Sequence, residues 1–169
     1  MSDVATKPLS GVRVLDFTRV LAGPYCTAMM ADLGADVIKV EAGHGDDYRH
    51  IGPFEKGESL LFQTVNRGKR SIVLDLKTSE GIATVKALLR DTDVLVENFR
   101  PGVMVKLGLG AGGLMEDFPA LIYVSVSGFG QTGPNAKKPA YDIILQAMSG
   151  LMDATGEPDG QPTTDADDD

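Results

Sequence analysis

VRVLDFTRVLAGPYCTAMMADLGADVIKVE, residues 12–41, holds two strands, a turn and a helix in one continuous stretch. Residues 12–17 (VRVLDF) form an apolar, β-branched run bounded by Gly11, the pattern of a buried strand. The turn TRVLAGP follows, and Gly23-Pro24 punctuates the start of a helix, since proline suits a first helical turn. Cys26, Met29, Met30 and Leu33 then recur at i, i+3, i+4 and i+7, which predicts one apolar helical face. On that face Cys26 reads as a small buried hydrophobe rather than a nucleophile. Gly34 suits a left-handed helix stop, and residues 36–41 (DVIKVE) predict the second strand.

Outward from this unit the alternation continues. Residues 42–70 are rich in Gly, Asp, His, Pro and Arg around a short island at Leu60-Leu61-Phe62, and read as a long surface excursion. Ser71–Leu76 predicts a strand, and residues 79–90 place Ile82, Val85, Leu88 and Leu89 on one helical face. Asp93–Glu97 and Leu121–Ser127 predict two more strands, with short helices between them at 101–107 and 112–117. Residues 140–152 predict a mostly apolar helix. Such alternation specifies an α/β domain, a Rossmann-like open, largely parallel sheet with helices on both faces. The domain is expected over residues 11–163, between a flexible N-terminus (1–10) and an acidic, disordered tail (164–169). Ligands of such sheets bind at the carboxyl ends of strands, here TRVLAGP, EAGHGDDYRH, ENFRPG and SGFGQTGP.

Composition narrows the function. The formal net charge of -8 disfavours nucleic acid as a partner, although four of the negative charges lie in the last five residues, DADDD. No apolar stretch approaches the ~20 residues of a membrane span. The opening MSDVATKPLSG lacks the apolar run of a secretory signal, so a cytoplasmic location is expected. A single cysteine excludes an internal disulfide and a cysteine-based metal site. His44 and His50, six apart in a polar segment, and the pair Asp46-Asp47 read as solvated loop residues, and no metal site is assigned. Neither GxGxxG after a strand nor a Walker sequence occurs.

Glu97-Asn98-Phe99-Arg100-Pro101-Gly102 lies where a strand ends and a helix begins. Free N–H groups, an asparagine and an arginine there suit an anion such as phosphate, and Phe99 could stack on a base. An ordinary strand-to-helix turn is the alternative. Arg67, Lys69, Arg70, Lys77 and the pair Lys137-Lys138 are candidate phosphate contacts or solvated surface charges. Asp142 opens the apolar helix after Pro139, as a cap or as a carboxylate facing a site.

Taken together, PLSGVRVLDFTRVLAGPYCTAMMADLGADVIKVE, NRGKRSIVLDLKTSEG, DVLVENFRPGVMVKLGL, SVSGFGQTGP and AYDIILQAMSGLMDATGEPDGQPT resemble the family III CoA-transferases, together with the related α-methylacyl-CoA racemases and carnitine-CoA transferases. The blocks run from Pro8 to Thr163 in the family's order. The resemblance implies transfer of CoA from an acyl-CoA to a carboxylic acid, through attack of an aspartate on the thioester and an acyl-aspartyl anhydride. A carboxylate is ionised at neutral pH and needs no general base, and neither metal nor ATP is implied. CoA contacts carried over by matching positions are Val20 near the pantetheine and thiol end, Leu74, Lys77, Asn98, Phe99, Arg100 and Lys106 around the adenine and phosphates, and Lys138 near the nucleotide. Ala42 stands where some members place an arginine against the adenine.

Racemases carry a catalytic histidine immediately before the acidic residue matching Asp142. Tyr141 stands there, which favours the transferase over the racemase. The nucleophilic aspartate is implied about eight residues after Pro162-Thr163, just beyond Asp169, so no residue of TDADDD is assigned to it and the 169 residues are expected to be an incomplete, inactive portion. The family's interlocked homodimer is implied for whole members. A non-catalytic CoA-binding module and a partner chain completing a second polypeptide are the other readings.

Overall fold

The computed structural model describes residues 6–164, which divide into two compact units, one ending at Val126 and one beginning at Ser127. The first unit runs β1 (Arg13–Asp16), α1 (Ala22–Asp32), β2 (Asp36–Glu41), a 3-10 turn (Asp47–His50), β3 (Phe54–Glu55), β4 (Glu58–Ser59) and α2 (Leu60–Asn66). It continues through β5 (Arg70–Val73), α3 (Ser79–Leu89), β6 (Val94–Glu97), α4 (Val103–Lys106), α5 (Ala111–Asp117) and β7 (Ile122–Ser125). The second unit holds α6 (Asp142–Ser149) and α7 (Leu151–Thr155).

Five strands pair in the order β5-β2-β1-β6-β7, every pair parallel, and β3 and β4 form a separate antiparallel hairpin. Side chains alternate across a strand, so each strand feeds two cores. Leu15, Val40 and Leu95 join Val85 and Leu89 of α3, Met104 of α4 and Leu114 of α5 on one face. Val14, Val37, Val94 and Val96 pack on the other face with Met30 and Ala31 of α1. Helices thus cover both faces of a parallel sheet, the Rossmann-like arrangement expected from the alternation. Leu15 and Leu95 are only 1% and 0% exposed. Burial of such a side chain contributes about 1.5–3 kcal/mol.

Several local expectations change. The apolar periodicity of α1 does not mark its buried face: Gly23, Pro24, Thr27 and Ala28 are buried, while Cys26, Met29 and Leu33 are exposed. The helix lies so close to the turn below it that a Cβ on Gly23 would meet Thr18 Cβ at 2.4 Å, so even a methyl group does not fit there. The excursion at 42–70 contains the hairpin and α2, whose start is capped by Ser59 Oγ accepting from Phe62 N–H at 3.2 Å. The single helix expected at 140–152 is two, broken at Gly150, which adopts φ 82°. The strand expected at 71–76 ends at Val73, and the Asp75 carboxylate accepts from Lys77 N–H at 2.9 Å, turning the chain into α3. Leu9 N–H donates to Leu33 C=O at 2.9 Å and Ser10 N–H to Lys7 C=O at 3.0 Å, so the end of the 1–10 segment is tied to α1. Residues 1–5 and all but the first residue of the 164–169 tail lie outside the described residues. Among the described residues, no helix is long and apolar enough to cross a membrane.

Candidate functional site

The strand order fixes where a ligand crevice forms. From β1 the chain moves outward through β2 to β5, then returns across the sheet to β6 and β7. The direction reverses between β1 and β6, and connections leave in opposite directions above their carboxyl ends. Thr18–Leu21 follows β1 there, and Asn98–Gly102 follows β6.

These two segments grip each other. Asn98 Oδ1 accepts from Arg19 N–H at 2.9 Å, and Asn98 Nδ2 donates to Arg19 C=O at 2.8 Å. The amide therefore braces the Arg19 peptide with half its hydrogen-bonding capacity and keeps one N–H and one lone pair. Phe99 N–H donates to the buried Glu97 carboxylate at 2.8 Å, and the Arg19 guanidinium lies 5.4 Å from the Phe99 ring centroid. Arg100 is exposed, and Gly102 adopts φ 88° at the start of α4. Val20 also has a positive φ, 70°, unusual for a β-branched residue, and its side chain is 40% exposed.

Beneath this edge lies a buried charge network that sequence reasoning missed. Asp16 accepts from Thr18 N–H at 2.8 Å, Thr27 Oγ1 at 2.7 Å and Lys69 Nζ at 3.0 Å. Lys39 Nζ donates to Thr18 C=O at 2.6 Å and lies 2.8 Å from Asp46 Oδ2. That second contact is an ion pair outside hydrogen-bond alignment, and Oδ2 accepts no hydrogen bond among the described residues. Asp46 Oδ1 accepts from Val20 N–H at 3.2 Å and Tyr48 N–H at 3.0 Å. Lys39 and Asp46 are each 1% exposed. Asp46 is therefore not a solvated loop charge, because the polar segment folds back over the strand ends. Asp47, His44 and His50 are exposed, and His50 Nε2 lies 2.8 Å from His44 C=O.

Lys69 is likewise no surface charge. Burial pushes its ammonium below the usual lysine range, although Asp16 pulls it up. Glu41, at the end of β2, accepts from Arg49 Nε and Nη2 at 2.7 Å, from Asp46 N–H at 3.0 Å and from the Ser71 hydroxyl. Burial alone would raise its carboxyl, but the Arg49, Ser71 and Asp46 donors outweigh that and lower it from 4.5 to about 2. The available signal was a charge at an inward strand position, Asp16 in VRVLDF and Lys39 in DVIKVE, where alternation calls for an apolar residue.

Of the predicted phosphate residues only Lys77 and Lys106 line one groove, whereas Lys69 is buried against Asp16, and Arg67 and Arg70 pair with Asp32 and Asp36. An open groove of about 550 Å³ is lined by Leu76 to Ser79, Ile82, Ala83, Lys86, Lys106 and Leu107. Lys77 and Lys106 thus share a groove with Lys86, whose ammonium pairs with Asp117 at 3.4 Å. Among the described residues, no carboxylate lines it. Leu74, Leu76, Phe99 and Leu107 each pack against the hydrophobic cluster on that sheet face. Among the described residues, no set of three metal-ligating side chains is grouped. Lys138 and Asp142 belong to the second unit. Lys138 is exposed. Asp142 is the first residue of α6 and accepts from Gln146 Nε2 at 2.6 Å, so it does not cap the helix. Tyr141 is the N-cap residue and makes no side-chain cap.

The sequence model described as CoA-transferase family III matches residues 9–166. The chain belongs to CoA-transferase family III. It is 56% identical over 157 residues to an acetyl-CoA:oxalate CoA-transferase of Acetobacter aceti, covering 92% of this chain and 40% of that protein. It is 51% identical over 158 residues to the succinyl-CoA:glutarate CoA-transferase of Mus musculus, covering 92% of this chain and 36% of that one. Among solved structures, a CAIB/BAIF family protein from Brucella suis superposes with a TM-score of 0.89 at 46% identity, covering 94% of this chain and 43% of that one. The chain thus spans about two fifths of the length of these family members.

Proposed function

We propose that the carboxyl edge of this sheet binds the CoA of an acyl-CoA, and that the chain supplies the nucleotide and pantetheine wall of a CoA-transferase acting between an acyl-CoA and a carboxylic acid. The observation that carries this reading is the groove that brings Lys77 and Lys106 together beside Lys86, whose charge is shared with Asp117, in a chain of net charge -8. Cations gathered on an acidic protein favour a polyanion such as the phosphates of CoA. The crevice between β1 and β6 then receives the uncharged pantetheine arm past Val20, while Phe99, Arg100 and Leu74 border the nucleotide. Lys138, in the second unit, is a further candidate CoA contact by family match alone.

In the transfer step a carboxylate oxygen attacks the thioester carbonyl carbon, the C–S bond breaks, CoA leaves as thiolate and an acyl anhydride remains. We assign no aspartate among residues 1–169 as that nucleophile, and Asp142 stays a candidate site carboxylate. A racemase needs an imidazole beside that carboxylate, and Tyr141 supplies a phenol. A cytoplasmic location belongs to the same reading, and homodimer formation is carried over for whole family members alone.

Isothermal titration of CoA into the chain tests it. Saturable binding is expected, and Lys77→Ala or Lys106→Ala should each weaken it about 3- to 10-fold, the effect of one charge-assisted contact at an open groove. Affinity unchanged in both variants would remove the groove from the site. Incubation with an acyl-CoA and a carboxylate acceptor is expected to give no turnover, and turnover above a heat-treated control overturns the nucleophile assignment.

A further inference from the structure

The turn after β1 is held far more tightly than chain reversal requires. Side chains take up the polar backbone groups of three consecutive residues. Asp16 accepts from Thr18 N–H, Lys39 donates to Thr18 C=O, Asn98 engages both Arg19 N–H and C=O, and Asp46 accepts from Val20 N–H. The side chains come from the ends of β1, β2 and β6 and from the segment after β2. They converge on the turn Thr18–Val20, which Asp46 holds at Val20, a β-branched residue at φ 70°. A conformation of that kind is costly and persists only where its surroundings over-determine it. The Lys39–Asp46 pair is itself a poor device for stability, since burying two charges costs about what their attraction returns. Strain held by a buried ion pair at the mouth of a crevice points to placement rather than folding.

We propose that Asp46 and Lys39 are positioning residues, which fix the Val20 peptide so that the thioester arm of an acyl-CoA docks in one register. The inference rests on the CoA reading above. The turn suits the arm rather than the phosphates: Val20 and Leu21 are exposed apolar side chains, Lys39 is buried beneath them, and the turn's own cation, Arg19, faces Phe99 and lies 3.9 Å from Asp47. On that reading the phosphates go to the groove lined by Lys77 and Lys106. Neither Asp46 nor Lys39 reaches the surface to touch ligand, so they act only through the backbone they hold.

The test compares the whole arm with the nucleotide end alone, using acetyl-CoA and adenosine 3',5'-bisphosphate as titrants. The Lys39→Met/Asp46→Ala double variant removes both charges together and leaves no buried ion unpaired. It is expected to bind the bisphosphate like the parent and acetyl-CoA about 5-fold more weakly, the worth of one positioning hydrogen bond. Lys39→Met with Asp46→Asn restores a neutral acceptor for Val20 N–H and should recover most of that loss. Val20→Gly deletes no hydrogen bond and relieves the left-handed strain. It should raise the unfolding temperature while lowering acetyl-CoA affinity relative to the bisphosphate, opposite movements that a purely structural role does not produce. An unchanged affinity ratio in the double variant and in Val20→Gly overturns the proposal. A parent chain that binds neither titrant instead overturns the CoA reading, and this inference falls with it.

Discussion

Acid titration of Glu41 offers a quantitative check on the buried network. Its carboxyl titrates at about 2 in the folded chain against 4.5 for a free side chain. A depressed carboxyl stabilises the fold above the unfolded value and loses that contribution as pH falls through the folded one. The window is therefore between roughly pH 5 and pH 2. At 1.36 kcal/mol per unit, Glu41 contributes about 3 kcal/mol at pH 7, about 1.4 at pH 3 and under about 0.5 at pH 2. The perturbation is Glu41→Gln, which keeps the shape and an acceptor oxygen but not the charge that Arg49 grips. Parent and variant are unfolded in urea at pH 7, 5, 4 and 3, and the difference in unfolding free energy is followed. The gap is expected to be widest at pH 7 and to close by more than half at pH 3. A gap of the same size at pH 7 and pH 3 refutes the claim that the ionised Glu41 carboxylate anchors the segment covering the strand ends.

Other substitutions report on neighbouring contacts. Gly23→Ala places a methyl at 2.4 Å from Thr18 Cβ and should cost about 1–3 kcal/mol by forcing α1 off the sheet, read from the urea midpoint. A midpoint equal to the parent's would mean the approach is looser than described. Lys69→Met strands the Asp16 carboxylate without its cation and should destabilise by about 3 kcal/mol or more. Adding Asp16→Asn should recover much of that loss, and a double variant no better than the single one contradicts the pairing.

The fold was legible because strand and helix periods differ and every sheet strand carries its own apolar signal. Val14 and Leu15 point to opposite cores, and Val85 and Leu89 lie on the predicted face of α3. The face of α1 was misread because apolar periodicity measures hydrophobicity, not closeness of approach. Small residues line the tight contact, while Tyr25, Met29 and Leu33 remain exposed. The Glu97–Gly102 turn could be found from its local chemistry, and Lys77 and Lys106 from the family resemblance. Asp46, Lys39 and Lys69 could not be joined to Asp16 and Val20, because their pairings span up to 53 residues and leave no local pattern beyond a charge in an apolar strand. Asn98 was placed at the right edge, but its bond to the Arg19 peptide depends on β6 lying beside β1.

The most direct test of the whole account is backbone amide chemical-shift mapping as CoA is added to the isotope-labelled chain. The account predicts perturbations concentrated at Val20–Leu21, Lys77–Ser79, Asn98–Gly102 and Lys106, with the hairpin at Phe54–Ser59 unaffected. Shifts confined to that hairpin, or a spectrum unchanged at saturating CoA, would contradict it.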